Sequence, residues 1–347
     1  FDECHRSQFG DMHTDITRAF RNYHLFGFTG TPIFAENASS SGKANLRTTE
    51  QAFGDQLHSY TIVDAIRDKT VLPFRVDYLN SFRVRDGIDN HDVEGIDTDS
   101  AYMNPQRISA VVSYILEHFD QKTKRHASFQ YKERRVNGFN SLFATSSIKA
   151  ARAYYQEFKR QQADLPEARR LSVGIIYSYA PNAEAPGTGL LSEESMDPSA
   201  LSQDDRAFLD EAIADYNQQF GSSFGTDASG FEGYYTSLST ALAERRIDLV
   251  IVVDMFLTGF DSKSLNTLWV DKNLRAHGLI QAFSRTNRIL NSVKTFGNIV
   301  CFRNLEEATN DAIALFGNKE ARGQVLLRPY GEYLSTYLEV IEQLRID

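Results

Sequence analysis

Short apolar runs alternate with amphipathic stretches along most of the chain. The runs fall at residues 25–29, 142–145, 173–177, 249–253, 267–270 and 298–302. The run Leu-Val-Ile-Val-Val at 249–253 is continuous and rich in β-branched residues, as expected for a strand covered on both faces. Between the runs the period changes. Residues 147–163 place Ile148, Ala151, Tyr155 and Phe158 on one helical face, and 204–220, 234–246 and 304–316 behave alike. Strands alternating with helices predict βαβ units, hence an α/β fold with a parallel sheet and helices on both faces. A last helix over 331–344 carries Leu334, Tyr337, Leu338, Ile341 and Leu344 as a stripe. That stripe needs a partner, so the helix reads as the start of a further helical region. A coarse boundary follows 51–54, and the polar, Asp-rich stretch 80–104 is expected to loop out.

Composition narrows the class. The chain has 347 residues, which suggests about two domains, and its 41% apolar and 24% charged residues are globular values. No apolar run approaches the ~20 residues that span a bilayer. No leader is expected, and two cysteines, Cys4 and Cys301, cannot form a disulfide scaffold, which fits a reducing, cytoplasmic setting. The net charge of −9 by itself argues against nucleic acid. Its distribution removes that argument. Residues 183–233 hold eleven acids against Arg206 alone, a net −10, so the remaining chain is near neutral at +1. With its six glycines this stretch reads as an acidic insertion. Residues 121–135 run the other way, with Lys122, Lys124, Arg125, Lys132, Arg134 and Arg135 against Glu133. Such runs are ordinarily solvated surface, and this one gains interest if it borders a nucleic-acid groove.

In open parallel sheets, ligands gather beyond the carboxyl ends of the strands, and the unusual residues collect at such positions. Asp2 and Glu3 open the chain. Adjacent acids at a strand end suit Mg²⁺ on one carboxylate and an oriented water on the other. Zinc at Cys4 and His5 is set aside, since no second Cys or His lies at ligand spacing. Thr29-Gly30-Thr31-Pro32 reads as a tight turn or as a hydroxyl-rich turn that moves with a ligand. Thr258-Gly259 follows the 249–253 strand and could present N–H groups and a hydroxyl to phosphate. Arg285 and Arg288, three apart near Gln281, suit a polyphosphate or a solvated helix end equally.

Taken in order, Asp2-Glu3-Cys4-His5, Thr29 to Pro32, Phe143 to Ser147, Thr258 to Asp261 and Gln281 to Arg288 resemble motifs II to VI of superfamily 2 helicases and translocases. The fuller wording, DECHRSQ, FGFTGTPI, LHSYTIVDAIRD, MFLTGFD, LNTLWVDKNLR, HGLIQAFSRTNRI and KTFGNIVCF, resembles the motor (R) subunit of type I restriction enzymes over nearly the whole chain. The resemblance implies a RecA-like fold with the tail of a first lobe at 1–60, a second lobe at 61–328 and the start of a helical domain at 329–347. It implies ATP between the lobes and duplex DNA pumped by its hydrolysis. Asp2 would hold the Mg²⁺ of Mg·ATP, and Glu3 would polarise the attacking water. Thr29 and Thr31 would couple nucleotide state to DNA grip. Gln281 would sense the γ-phosphate, with Arg285 and Arg288 as arginine fingers. Thr145, Ser146 and Thr258 would lie on the DNA side, and Asp261 would hold nucleotide or link the lobes. Methyltransferase and specificity subunits would be partners.

One element of the family pattern is missing. No G-x-x-x-x-G-K-[ST] phosphate loop occurs: Gly42-Lys43 is followed by Ala44, and position 37 is Asn37. The chain is therefore expected to be a fragment, inactive alone, without the family's nuclease. Another superfamily 2 motor, such as a type III restriction or repair enzyme, shares much of this pattern. A non-catalytic nucleic-acid-binding module does not need the paired arginines and Gln281. An unrelated α/β enzyme with an Asp/Glu metal site leaves the motif order unexplained.

Overall fold

The computed structural model describes residues 1–5, 11–38, 47–79, 101–177, 201–317, 322–328 and 330–346. Six strands form one sheet in the order β1 (Phe74–Tyr78), β8 (Gly297–Cys301), β7 (Leu265–Asp271), β4 (Asn140–Thr145), β6 (Leu249–Val252), β5 (Val173–Ile176). Every neighbouring pair is parallel. The 249–253 run became β6, an inner strand with all four residues buried. β4, β7 and β8 are likewise buried along their whole lengths.

Register shows that both faces are covered. Residues directly opposite one another share a face. Phe143 pairs with Trp269 and Trp269 with Val300. On that face Phe143 packs on Tyr154 with ring centroids 4.7 Å apart, and Tyr114 meets Trp269 at 6.5 Å. The helices Pro105–Lys122 and Ile148–Gln162 therefore lie there. The other face carries Leu268, Ile299 and Val76, in register and on the side of Phe74. There Phe74 meets Phe283 of the helix Ala276–Phe283 at 5.9 Å. The parallel α/β sheet with helices on both faces expected from the sequence is what the structure contains.

Four departures are instructive. β1 was not anticipated, because Phe-Arg-Val-Asp-Tyr alternates like a half-exposed strand and lies next to the polar stretch at 80–104. Of that stretch, 80–100 lies outside the described residues. The run at 25–29 forms no regular strand, although Phe28 N donates to Phe1 O (2.7 Å) and Cys4 N to Phe28 O (3.1 Å), laying it alongside residues 1–4. The helix expected from 234 begins at Ala228, because Asp227 caps it by accepting from Gly230 N. Finally, the acid-rich stretch is in its described part no appendage. It forms the helix Gln203–Phe220 and the opening residues 228–233 of the helix Ala228–Ala243; the two helices bury Phe208, Leu209, Ile213, Tyr216, Phe231 and Tyr234. Tyr234 donates to Ile175 O at 2.6 Å. The acids take the outward faces of core helices.

The basic run lies just before β4, where the sequence puts it. It contributes the hairpin β2 (Ser128–Tyr131) and β3 (Arg134–Asn137), at the amino end of β4. Its charges are largely satisfied within the lobe. Lys122 pairs with Asp77, Arg125 with Asp248 (2.8 Å) and Lys132 with Glu244 (3.3 Å), and Arg134 donates to the Glu244 carbonyl.

A buried ionic hub lies at the opposite, carboxyl ends of β7 and β8. Asp271 accepts from Arg107 through two bonds (2.6 and 3.0 Å), from Tyr154 Oη (2.6 Å) and from Arg303 Nε (3.1 Å). Burial alone pushes the Asp271 carboxyl up; the Arg107 hydrogen bond and the Arg303 and Arg107 charges outweigh it and hold the carboxyl below its usual range. Removing one member of a buried ionic cluster costs far more than the cluster's net worth, since the remaining charges lose their partner. Asp271→Ala is expected to lower unfolding free energy by ~3–5 kcal/mol, against about 1 kcal/mol for Tyr154→Phe. Urea denaturation checks the ranking; equal losses in the two variants contradict it.

Candidate functional site

Three segments distant in sequence meet beside the helix Ala276–Phe283. Gln281 Nε2 lies 3.0 Å from His5 Nε2 and 3.0 Å from Thr31 Oγ1. Thr29 Oγ1 lies 2.7 Å from His5 Nδ1 and accepts from Thr31 N at 3.0 Å. The Thr29 hydroxyl thus ties the turn to itself and to the chain start. That is why Thr31 is buried at 3% exposure although it sits in a turn. Asp2 and Glu3 stand at the rim, both exposed. Asp2 Oδ1 accepts Glu3 N at 3.0 Å, and Glu3 Oε2 lies 3.4 Å from His5 Nδ1. Glu3 adopts φ 47°, a left-handed conformation uncommon for a residue other than glycine.

A second cluster forms around the segment after β6. Asp254 pairs with Lys272 at 2.8 Å, tying the end of β6 to the end of β7. Gly259 at φ 71° turns the chain so that Phe260 N donates to Thr258 O at 2.8 Å. A side chain at 259 would be strained there. Arg285 donates through Nη1 to the Phe260 carbonyl and through Nε to Gln281 O (3.1 Å). Arg288 Nε donates to Asp261 Oδ1 at 3.0 Å, on the surface. Both arginines of the 281–288 stretch are therefore held by the 258–261 stretch of the same lobe.

The structure brings Asp2, Glu3, Thr29, Thr31 and Gln281 to one place, and Asp261, Arg285 and Arg288 to the adjoining one. The residues expected on the DNA side fare differently. Thr145 is fully buried and its hydroxyl donates to Val252 O at 3.1 Å, so it has no surface for a phosphate. Thr258 is 2% exposed and its Oγ1 has no hydrogen-bond partner. Ser146 is half-buried, and Ser147 caps the following helix by accepting from Ala150 N. The alternation of a buried strand end explains this: Thr145 points inward, and the chain reaches solvent one residue later.

Sequence reasoning missed His277, Asn37 and Lys294. His277 precedes Gln281 by four residues, hence shares its helix face, and that spacing was the available signal. Lys294 gave none. Its ammonium is 1% exposed and donates to Lys263 O (3.0 Å) and Leu265 O (2.7 Å). It fastens the chain after Asp261 to the loop after Arg288.

Comparison with known proteins adds the decisive observation. A family model for the SWI2/SNF2 ATPase matches residues 1–106, and one for type I restriction enzyme subunit R domain 3 matches residues 137–304. The endonuclease subunit of type I restriction enzyme SauMRSORF196P from Staphylococcus aureus (strain MRSA252) is 40% identical over 349 residues, covering 99% of this chain. The chain belongs to the type I restriction enzyme R-subunit family. A second R-subunit relative, the SsaAORF53P endonuclease subunit of Staphylococcus saprophyticus, is 41% identical over 348 residues and 99% of this chain. The chain spans 35% and 34% of these relatives' lengths. A solved fragment of a putative HsdR subunit from Vibrio vulnificus YJ016 overlays on 78% of this chain and 39% of that one, at 12% identity and a TM-score of 0.45, a likeness too loose to add to the argument. Among the described residues no helix is long and apolar enough to cross a membrane.

Lys294 supplies a test of the second cluster in this R-subunit chain. Burial pushes its ammonium down from 10.5 to about 7, with Asp261 opposing and Arg288 adding. A depressed lysine pKa makes the protonated form costly in the folded state. Stability from this group is full above pH ~10 and falls as pH drops towards 7. The advantage of wild type over Lys294→Met is expected to grow by an amount on the order of 4 kcal/mol between pH 7 and pH 10. Urea midpoints across that range check it; a pH-independent difference contradicts it.

Proposed function

We propose that this chain forms the motor core of a type I restriction enzyme R subunit, coupling ATP hydrolysis to translocation of double-stranded DNA ahead of cleavage. The carrying observation is the Gln281 side chain, which reaches both His5 and Thr31. A group placed there touches the acidic chain start, the hydroxyl turn and the helix leading to two arginines, which is what a nucleotide-operated motor requires. The activity belongs to the whole subunit, since the phosphate-cradling loop is not among these residues.

In this reading residues 1–60 belong to a first RecA-like lobe, 61–328 to a second, and 329–347 to a helical region. Asp2 suits the Mg²⁺ that accompanies ATP. Its carboxylate is exposed and its one recorded hydrogen bond, from Glu3 N, leaves lone pairs for a hard cation that prefers oxygen. Bound there, Mg²⁺ neutralises charge on the phosphates. Glu3 orients the attacking water, and its neighbour His5 is held by Thr29. Gln281 senses the γ-phosphate through the side chain that also holds Thr31. Arg285 and Arg288 stabilise charge as it develops during phosphoryl transfer, and Asp261 keeps Arg288 oriented until the phosphate takes its place. Ser146 supplies the surface hydroxyl towards DNA that Thr145 does not. Thr258, only 2% exposed, would need to be uncovered before its unpartnered hydroxyl could reach a phosphate. The methyltransferase and specificity subunits complete the complex, in the cytoplasm.

Arg288→Ala in the full-length subunit is expected to lower DNA-stimulated ATP hydrolysis by ~10³-fold or more and to abolish translocation, with the melting temperature unchanged. Arg288 is exposed and its pair with Asp261 contributes little to stability. Triplex-displacement and phosphate-release assays check this; translocation at the wild-type rate refutes the assignment.

A further inference from the structure

His277 has a geometry that the roles above leave unused. Its ring is fully buried, one helical turn before Gln281 on the same helix face. Nε2 lies 3.0 Å from the Pro32 carbonyl. A carbonyl only accepts, so the proton sits on Nε2 and the ring donates. Asn37 Nδ2 lies 3.3 Å from the same nitrogen; being a donor as well it makes no hydrogen bond to that N–H, and the Asn37 amide is held instead by Phe34 N donating to its Oδ1 at 2.7 Å. The ring is stacked on His5, with centroids 5.8 Å apart and planes at 17°, and meets Phe316 edge-on at 5.0 Å. The imidazole is thus held by the chain start, the Pro32 carbonyl and the helix Glu306–Phe316 together.

One helix therefore grips one turn at two adjacent residues. Gln281 holds the Thr31 hydroxyl and His277 the Pro32 carbonyl. The two gripping residues are one turn apart along the helix, about 6 Å. A single hydrogen bond leaves a pivot; two separated bonds fix orientation as well as distance. Loss of the His277 bond also strands a carbonyl in a site closed by aromatic rings, where water does not easily replace it.

We infer that His277 is a positioning residue that makes the Thr29–Thr31 turn and the helix bearing Gln281 move as one body, so that nucleotide state at one is transmitted to the other. This rests on the motor reading above. It acts through Gln281 and the turn, so its loss slows turnover without weakening ATP binding.

The test compares His277→Phe with His277→Gln in the full-length subunit assembled with its partner subunits on duplex DNA carrying the recognition site. Phe keeps the ring packing and removes the donor; Gln restores a donor. For His277→Phe, the expected result is a tenfold or greater fall in kcat for DNA-stimulated ATP hydrolysis. KM for ATP stays within twofold, the melting temperature is unchanged, and more ATP is consumed per base pair translocated. His277→Gln is expected to recover most of kcat and the coupling ratio. Wild-type kcat and coupling in His277→Phe overturn the inference, as does equal loss in both variants or a fall in kcat accompanied by a lowered melting temperature. Absence of DNA-stimulated hydrolysis in wild type refutes the motor reading itself, a separate outcome.

Discussion

The carboxylate of Asp271 fixes where the working parts of this lobe begin. It ends the seven-residue strand β7 and receives bonds from Arg107, Tyr154 and Arg303, which come from two helices and from the end of β8. Arg107 also donates to the Phe302 carbonyl (3.2 Å), and the Tyr102 ring lies 4.9 Å from its guanidinium and 3.8 Å from that of Arg303. Hydrophobic contacts between these helices and the sheet are plentiful but non-directional. The bidentate Arg107 pair has a required geometry, so it sets the angle at which the helices meet the strand ends. Five residues beyond Asp271 the helix with His277 and Gln281 starts. A tilt at the hub would displace both grips on the Thr31–Pro32 turn.

The architecture was legible because the sheet is parallel and doubly covered. A strand such as β6 has no polar face to confuse the pattern, and the intervening helices are long enough to show their period. What failed did so for local reasons. β1 is an edge strand whose alternation, with Arg75 and Asp77 beside Phe74 and Val76, gives a shorter apolar signal. The helical period at 204–220 was legible, but its charge suggested an insertion: Asp204 to Asp215 crowd the outer face while Phe208, Leu209, Ala212 and Tyr216 occupy the inner one. Counting charge along a segment averages over exactly the two faces that distinguish a core helix from an appended loop.

The candidate site was legible in parts through motif order, and its internal connections were not. Asp2, Thr31 and Gln281 are far apart in the chain, and only three-dimensional closure brings them together. Thr145 illustrates the opposite limit. A motif identifies a position within a pattern, but whether a strand-end side chain faces the core or the solvent depends on a one-residue difference in phase. Asn37 and Lys294 carry no signature, and His277 only its spacing from Gln281, because their work is done on backbone groups and neighbouring rings, which any sequence supplies.

Electrostatics place the strongest limit on how such a lobe meets DNA. The hairpin β2–β3 that concentrates basic residues sits at the amino end of β4, whereas Ser146 follows its carboxyl end, a strand of six residues or ~17 Å away. Lys122 and Arg125 just before the hairpin and Lys132 within it are already matched by Asp77, Asp248 and Glu244, and matched charges release few counterions on binding phosphate. The acid-rich helix Gln203–Phe220 beside β5 adds negative charge at that edge of the sheet. On the motor reading proposed above, a duplex would meet this part of the molecule through local contacts such as the Ser146 hydroxyl and main-chain groups, which position a backbone without attracting it from afar.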